Sequence, residues 1–166
     1  MPSRSPHSHG GFTLIEAIMA IAVMAILLTL AAPSFSGAAL GSQLRASAND
    51  LAASAYLARS EALKRNAVVT MCMSADGATC AASGGWEQGW IVLSGTTLKA
   101  QPAAASGMRI TAGGITSLSF QPTAAGATAA AFTVCRATPL GGEERVVTID
   151  ATGRPWIRKT TNAACP

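Results

Sequence analysis

Gly11-Phe12-Thr13-Leu14-Ile15-Glu16 opens an apolar run that reaches about Ala32. Glu16 is the one charge between Phe12 and Ala32, set among Leu, Ile, Ala, Val and Met. The run is about 21 residues, close to the roughly 20 that a helix needs to cross a bilayer. A lone carboxylate inside such a segment is costly in lipid, so it calls for a partner. Cutting the chain after Gly11 would give Phe12 a free ammonium one helical turn from Glu16, on the same helix face at i,i+4. The amine of one copy can equally meet Glu16 of a neighbouring copy. Two plainer readings compete: a simple membrane anchor, and a secretory signal peptide with a cut near Ala31-Ala32. A signal peptide needs a short apolar core; this run is long and carries Glu16 within it.

These six residues, with the run behind them, resemble the processing site of type IV pilins and type II secretion pseudopilins. The resemblance implies cleavage between Gly11 and Phe12 by a prepilin peptidase, methylation of the new Phe12 amine, and an assembly role for Glu16. It also implies an inner-membrane protein that crosses the bilayer once, with a periplasmic domain that becomes extracellular inside a pilus.

Composition supports that topology. The 166 residues are 49% hydrophobic and only 12% charged, with a formal charge of +4. Such a weak positive balance does not by itself indicate nucleic acid. The first eleven residues hold Arg4, His7 and His9 and no acid, which favours a cytoplasmic amino end. Four cysteines, Cys72, Cys80, Cys135 and Cys165, suit an oxidising compartment and allow three pairings. The pairing we expect is Cys72–Cys80, closing a short loop around Asp76-Gly77, and Cys135–Cys165, pinning the tail to a strand. A zinc site is the alternative, but no CxxC spacing and no histidine near these cysteines supports it. No cofactor is expected.

Pro33 follows the apolar run and predicts a kink there. Beyond it Leu40, Leu44, Ala48, Leu51, Ala55, Ala58 and Ala62 recur at threes and fours, one apolar helix face. One long interrupted helix from Phe12 to about Asn66 is therefore expected. After Asn66 the period changes. Val68–Cys72, Thr97–Gln101, Met108–Thr111, Ile115–Phe120, Ala130–Arg136, Arg145–Asp150 and Pro155–Lys159 are strand candidates separated by Gly, Pro, Ser and Thr, and the segment Trp86–Leu93 leads into another strand. Pro102–Gly107 and Thr123–Ala129 read as surface loops, and Glu143-Glu144 as a solvated turn. Several short strands at this spacing suggest an antiparallel β domain. The expected organisation is a leader over 1–11, a transmembrane helix over 12–32, its amphipathic continuation over 33–66, and a β domain over 67–166.

Arg59-Ser60-Glu61-Ala62, the Cys72 and Cys80 turn, Trp86 and Gly89-Trp90-Ile91-Val92 resemble the GspH/FimT family of minor pilins and pseudopilins. Phe132–Cys135, Val147–Ile149 and Gly153-Arg154 continue the likeness in order. It implies an α+β, type IV pilin-like fold, a long amino-terminal helix packed on an antiparallel β-sandwich. It also implies partners among other minor pilins or pseudopilins in a type IV pilus or a type II secretion pseudopilus.

Catalysis is not expected, because an enzyme needs a nucleophile, a base or a metal in a cleft. Past the leader there is no histidine, and the acids are few and scattered. Trp86 and Trp90 read as core or loop anchors, with a ligand platform as the alternative. The carboxy-terminal segment is more informative. Arg154, Arg158 and Lys159 gather around Trp156, and cations with an aromatic can hold phosphates and stack on a base. The resemblance implies double-stranded DNA as a further partner, since DNA-uptake members carry a Gly-Arg-x-Arg motif near the carboxy end. Here Gly153-Arg154 matches, but Trp156 stands where the second Arg would be. Two alternatives stand against this: an edge strand guarded by cations, and a secretion pseudopilin with no DNA-binding role.

Overall fold

The computed structural model describes residues 12–123, 126–137, 142–161 and 165; side chains at 30–37 lie outside the description. The leader 1–11, with Arg4, His7, His9 and Gly11, falls outside the described residues, as do positions 124 and 125 of the Thr123–Ala129 loop.

Helix α1 spans Leu14–Arg65, and the helical assignment runs through Pro33 without a break. Asn66 ends it by taking φ of 48°, the left-handed conformation that closes many helices. The N–H of Ala67 then donates to the Ala62 carbonyl at 3.3 Å. Lys64 and Arg65 sit in the last turn, favoured by the helix dipole, and both pair with Glu61.

The chain divides into two compact units, Met1–Ala39 and Leu40–Pro166. In the first, every described side chain from Phe12 to Thr29 is exposed. A helix that is apolar all round needs lipid or other helices to cover it. Among the described residues no helix is long and apolar enough to cross a membrane. The expected span over 12–32 runs beyond Thr29 into residues whose side chains lie outside the description.

In the second unit the carboxy-terminal half of α1 buries Leu44, Ala48, Leu51, Ala55, Ala58 and Ala62, the face read from the sequence. The alanines matter because a small side chain lets a sheet come close to the helix. Two antiparallel sheets share that core. The first has β1 (Val69–Met73), β2 (Trp90–Ser94), β3 (Thr96–Gln101) and β5 (Ser117–Phe120) in the order β3-β2-β1-β5. The second has β4 (Met108–Thr111), β6 (Ala130–Arg136), β7 (Glu144–Ile149) and β8 (Pro155–Thr160) in the order β4-β6-β7-β8.

Trp86 and Trp90 are both buried. Trp86 opens a short 3-10 turn, Trp86–Gln88, that leads into β2. Its indole N–H donates to the Ile115 carbonyl at 2.7 Å, and its ring meets Phe132 edge-on at 4.8 Å between centroids. Trp90 donates to Ser54 Oγ at 2.9 Å, as does Lys99 Nζ at 3.0 Å, while the Ser54 hydroxyl donates to the Asp50 carbonyl at 2.7 Å. The buried hydroxyl thus uses both lone pairs and its proton, which ties α1 to the first sheet without an orphaned polar atom. Gly89 must be glycine: its φ is 113°, and a Cβ there would lie 2.7 Å from the Gln101 carbonyl oxygen.

Disulfides join Cys72 to Cys80 and Cys135 to Cys165, with Cα–Cα distances of 5.5 Å in each. Glu144 departs from the solvated turn expected of Glu143-Glu144. It is buried at the start of β7, where Thr160 Oγ1 donates to its carboxylate at 3.2 Å.

Candidate functional site

Phe12 and Thr13 precede the helix, and Thr13 caps it. The N–H of Glu16 donates to Thr13 Oγ1 at 3.3 Å and to the Thr13 carbonyl at 3.1 Å. Thr13-Leu14-Ile15-Glu16 is thus a T-x-x-E capping pattern with Glu16 at the third helical position. The pattern was readable in the sequence, yet Thr13 was not among the residues singled out there. A carboxylate in the first turn also suits the positive end of the helix dipole. Phe12 and Glu16 are both exposed.

The second candidate surface is the β7–β8 hairpin. Asp150 builds its turn: Oδ1 accepts from the Thr152 N–H and hydroxyl and from the Arg154 N–H at 2.8, 2.6 and 3.0 Å. Gly153 takes φ of +76°, and a Cβ there would lie 3.1 Å from Phe120 and 3.2 Å from an Arg59 guanidinium nitrogen. Glycine is favoured here by the left-handed backbone, whatever else the Gly153-Arg154 pair does. Strand β8 is an edge, and alternation along it separates the expected cluster. Trp156 and Arg158 share one face, with the Arg158 guanidinium 5.9 Å from the Trp156 ring centroid. Lys159 falls on the other face and pairs with Glu143 at 3.3 Å. Trp156 is 49% exposed, and Arg154 and Arg158 are exposed. Tyr56 of α1 donates its hydroxyl to the Pro155 carbonyl at 3.2 Å, which brings the helix to the start of this strand.

Carboxylates elsewhere serve turns. Thr79 Oγ1, then the N–H groups of Thr79 and Ala78 and the Ser74 hydroxyl, hold Asp76 well below the ordinary carboxylate value of 3.8. The Thr152 hydroxyl, then the Arg154 N–H, holds Asp150 below the same value. Both folded pKa values are depressed, so their contribution is complete above about pH 4 and is lost as pH falls towards the folded values. Urea midpoints are therefore expected to stay level from neutral pH to about pH 5 and to drop below about pH 4. Asp76→Asn should flatten that drop; an identical acid slope in the variant would contradict the assignment.

An open cleft of about 590 Å³ runs between the Gly84–Glu87 segment and the Arg109–Thr116 segment. Glu87 in it already accepts the Ile110 N–H at 3.2 Å. Among the described residues no group of three or more His, Cys, Asp or Glu is placed to hold a metal.

Two family profiles match the chain. Residues 6–32 match the prokaryotic N-terminal methylation motif. Residues 47–153 match the type II transport protein GspH, well over half of the chain. The chain belongs to the GspH family. As a GspH-family protein it is a minor pilin or pseudopilin, of a type II secretion system or a type IV pilus, and is a structural subunit rather than an enzyme. Its methylation motif implies processing by a prepilin peptidase and inner-membrane anchoring through the amino-terminal helix. A search of curated proteins finds no match. Among solved structures the chain is similar to the type IV minor pilin FimU of Pseudomonas aeruginosa strain PAO1 in two crystal forms. One has a TM-score of 0.57 at 18% identity, covering 74% of this chain and 96% of that one. The other has a TM-score of 0.55 at 18% identity, covering 73% and 100%. At that identity the likeness establishes the fold: α+β and pilin-like, a long amino-terminal helix packed on antiparallel sheets.

Proposed function

We propose that this GspH-family subunit is cut between Gly11 and Phe12, methylated on the Phe12 amine, and drawn into a filament through its amino-terminal helix. The observation that carries the reading is the exposed apolar helix opening on a capped turn that holds Glu16, beside the residue whose amine would become free. An uncompensated carboxylate among apolar side chains favours docking against a neighbour's ammonium over remaining alone in lipid. The other partners are minor pilins or pseudopilins of the same filament. With a matching assembly machine and peptidase, the protein is expected in the sheared filament fraction, dependent on the peptidase. Its confinement to the membrane fraction, while filaments form normally, would contradict the reading.

A second function is favoured by the exposed hairpin. Arg154 and Arg158 lie in no ion pair among the described residues, whereas Arg145 and Lys159 are both paired with Glu143. Guanidinium groups outside any ion pair, with an exposed indole beside Arg158, suit the phosphates of double-stranded DNA, held weakly and without sequence preference. Filament assembly and DNA capture are compatible in one subunit.

A further inference from the structure

Arg59 lies on α1, nearly a hundred residues before the basic hairpin, and no spacing in the sequence connects them. The fold does. A methyl group at Gly153 would come within 3.2 Å of an Arg59 guanidinium nitrogen, so Arg59 stands directly against the Gly153-Arg154 turn. One helical turn earlier, the Tyr56 hydroxyl holds the Pro155 carbonyl, which fixes the start of β8 beside the helix. Arg59 is partly exposed, and among the described residues it has no ion pair. The acid nearest to it in sequence, Glu61, is engaged by Lys64 and Arg65. The Asp150 carboxylate at the turn is engaged by Thr152 and the Arg154 N–H. Glu61 is thus occupied by other cations, the Asp150 carboxylate keeps its charge at the turn beside Arg154, and Arg59, in no ion pair among the described residues, stands against the turn that carries Arg154.

We infer that Arg59 is a third phosphate-binding residue of the surface formed by Arg154 and Arg158, and that Tyr56 is its positioning residue. This rests on the duplex-DNA reading of that surface. Arg59 comes from the helix against the turn, Arg154 belongs to the turn, and Arg158 lies on the outer face of β8. Cations on three neighbouring elements suit a backbone with several phosphates better than a single small anion. Tyr56 contributes through the Pro155 carbonyl rather than by touching the ligand.

The test uses the full-length protein in neutral detergent and a fluorescent duplex, titrated at two salt concentrations that differ about fourfold. Each phosphate contact contributes about −0.9 to the log–log salt slope. Arg59→Gln should therefore flatten the slope by about 0.9, and its affinity deficit should shrink about 3.5-fold across the salt change. Arg59→Lys should keep the parent slope, and Tyr56→Phe should weaken binding with the slope unchanged. A second measurement needs no variant: phenylglyoxal labelling of the parent, read by peptide mapping. DNA should protect Arg59, Arg154 and Arg158 and leave the exposed Arg45 reactive. Equal labelling of Arg59 with and without DNA, or the parent slope in Arg59→Gln, would overturn the assignment of Arg59. If Arg154→Gln with Arg158→Gln still flattened the slope, the DNA reading itself would stand. Absence of binding by the parent at low salt would remove both.

Discussion

Glu16→Ala is expected to leave the protein processed and present at parental levels, yet to cut its share of the sheared filament fraction at least tenfold. The local structure permits so selective an effect. The Thr13 cap is made to the backbone N–H of Glu16, which alanine retains, so the helix still starts at Leu14. Alanine is also the best helix former. What the substitution removes is the carboxylate alone, and with it the attraction to a neighbour's Phe12 ammonium that we propose. A loss of only ~1.4 kcal/mol per contact lowers an association constant about tenfold, and a pair in lipid has no competing water to soften the loss. Glu16→Gln should be nearly as severe, because an amide cannot pair with an ammonium as a charge. The measurement is immunoblotting of membrane and sheared fractions, normalised to total protein. Parental incorporation of a stably expressed Glu16→Ala protein would remove Glu16 from the assembly mechanism.

Trp86→Ala should destabilise the Leu40–Pro166 unit by about 3–5 kcal/mol, the usual range for deleting a large buried aromatic. The ring is 1% exposed, meets Phe132 edge-on, and anchors the Ile115 carbonyl. It therefore ties the connection between β4 and β5 to the second sheet. Truncation leaves a cavity and a carbonyl without its donor at once. Domains of this size hold only about 5–15 kcal/mol in total, so the loss is a large part of the whole. Trp86→Phe should cost less, since it keeps most of the ring and loses chiefly the indole donor. Urea unfolding with the disulfides intact measures the difference. A change below about 1 kcal/mol would show that the ring is not the central packing element.

Much of this architecture was legible in the sequence, for reasons that differ between elements. The face Leu44, Ala48, Leu51, Ala55, Ala58 and Ala62 was readable because one helix buries one stripe at a fixed period. Met108–Thr111 and Ala130–Arg136 were readable because glycine, proline or polar residues bound them closely. Strand order was not readable. β1 pairs with β5, and β4 with β6, across long stretches of chain, and no local pattern encodes which edge a strand joins. Trp86 was readable as a core or loop anchor before a strand, but not as part of a 3-10 turn, which no periodicity over three residues can signal. Glu144 misled because a carboxylate after Gly141-Gly142 suggests solvent, while the ladder with β8 draws it under Thr160. On the hairpin, composition grouped Arg154, Trp156, Arg158 and Lys159, but the two-residue period of a strand turns Lys159 away towards Glu143. Arg59 and Tyr56 were out of reach, since only the packing of α1 brings them to Gly153 and Pro155.

The central claim is that Phe12 becomes the amino terminus of the working subunit, and one measurement addresses it directly. The protein is purified from membranes of cells with an active prepilin peptidase, and its intact mass is determined after reduction. The account predicts the mass of Phe12–Pro166 plus one methyl group, with the methyl on the Phe12 amine in the amino-terminal peptide. A mass that retains Met1–Gly11, or a chain that begins after Ala32, would contradict it.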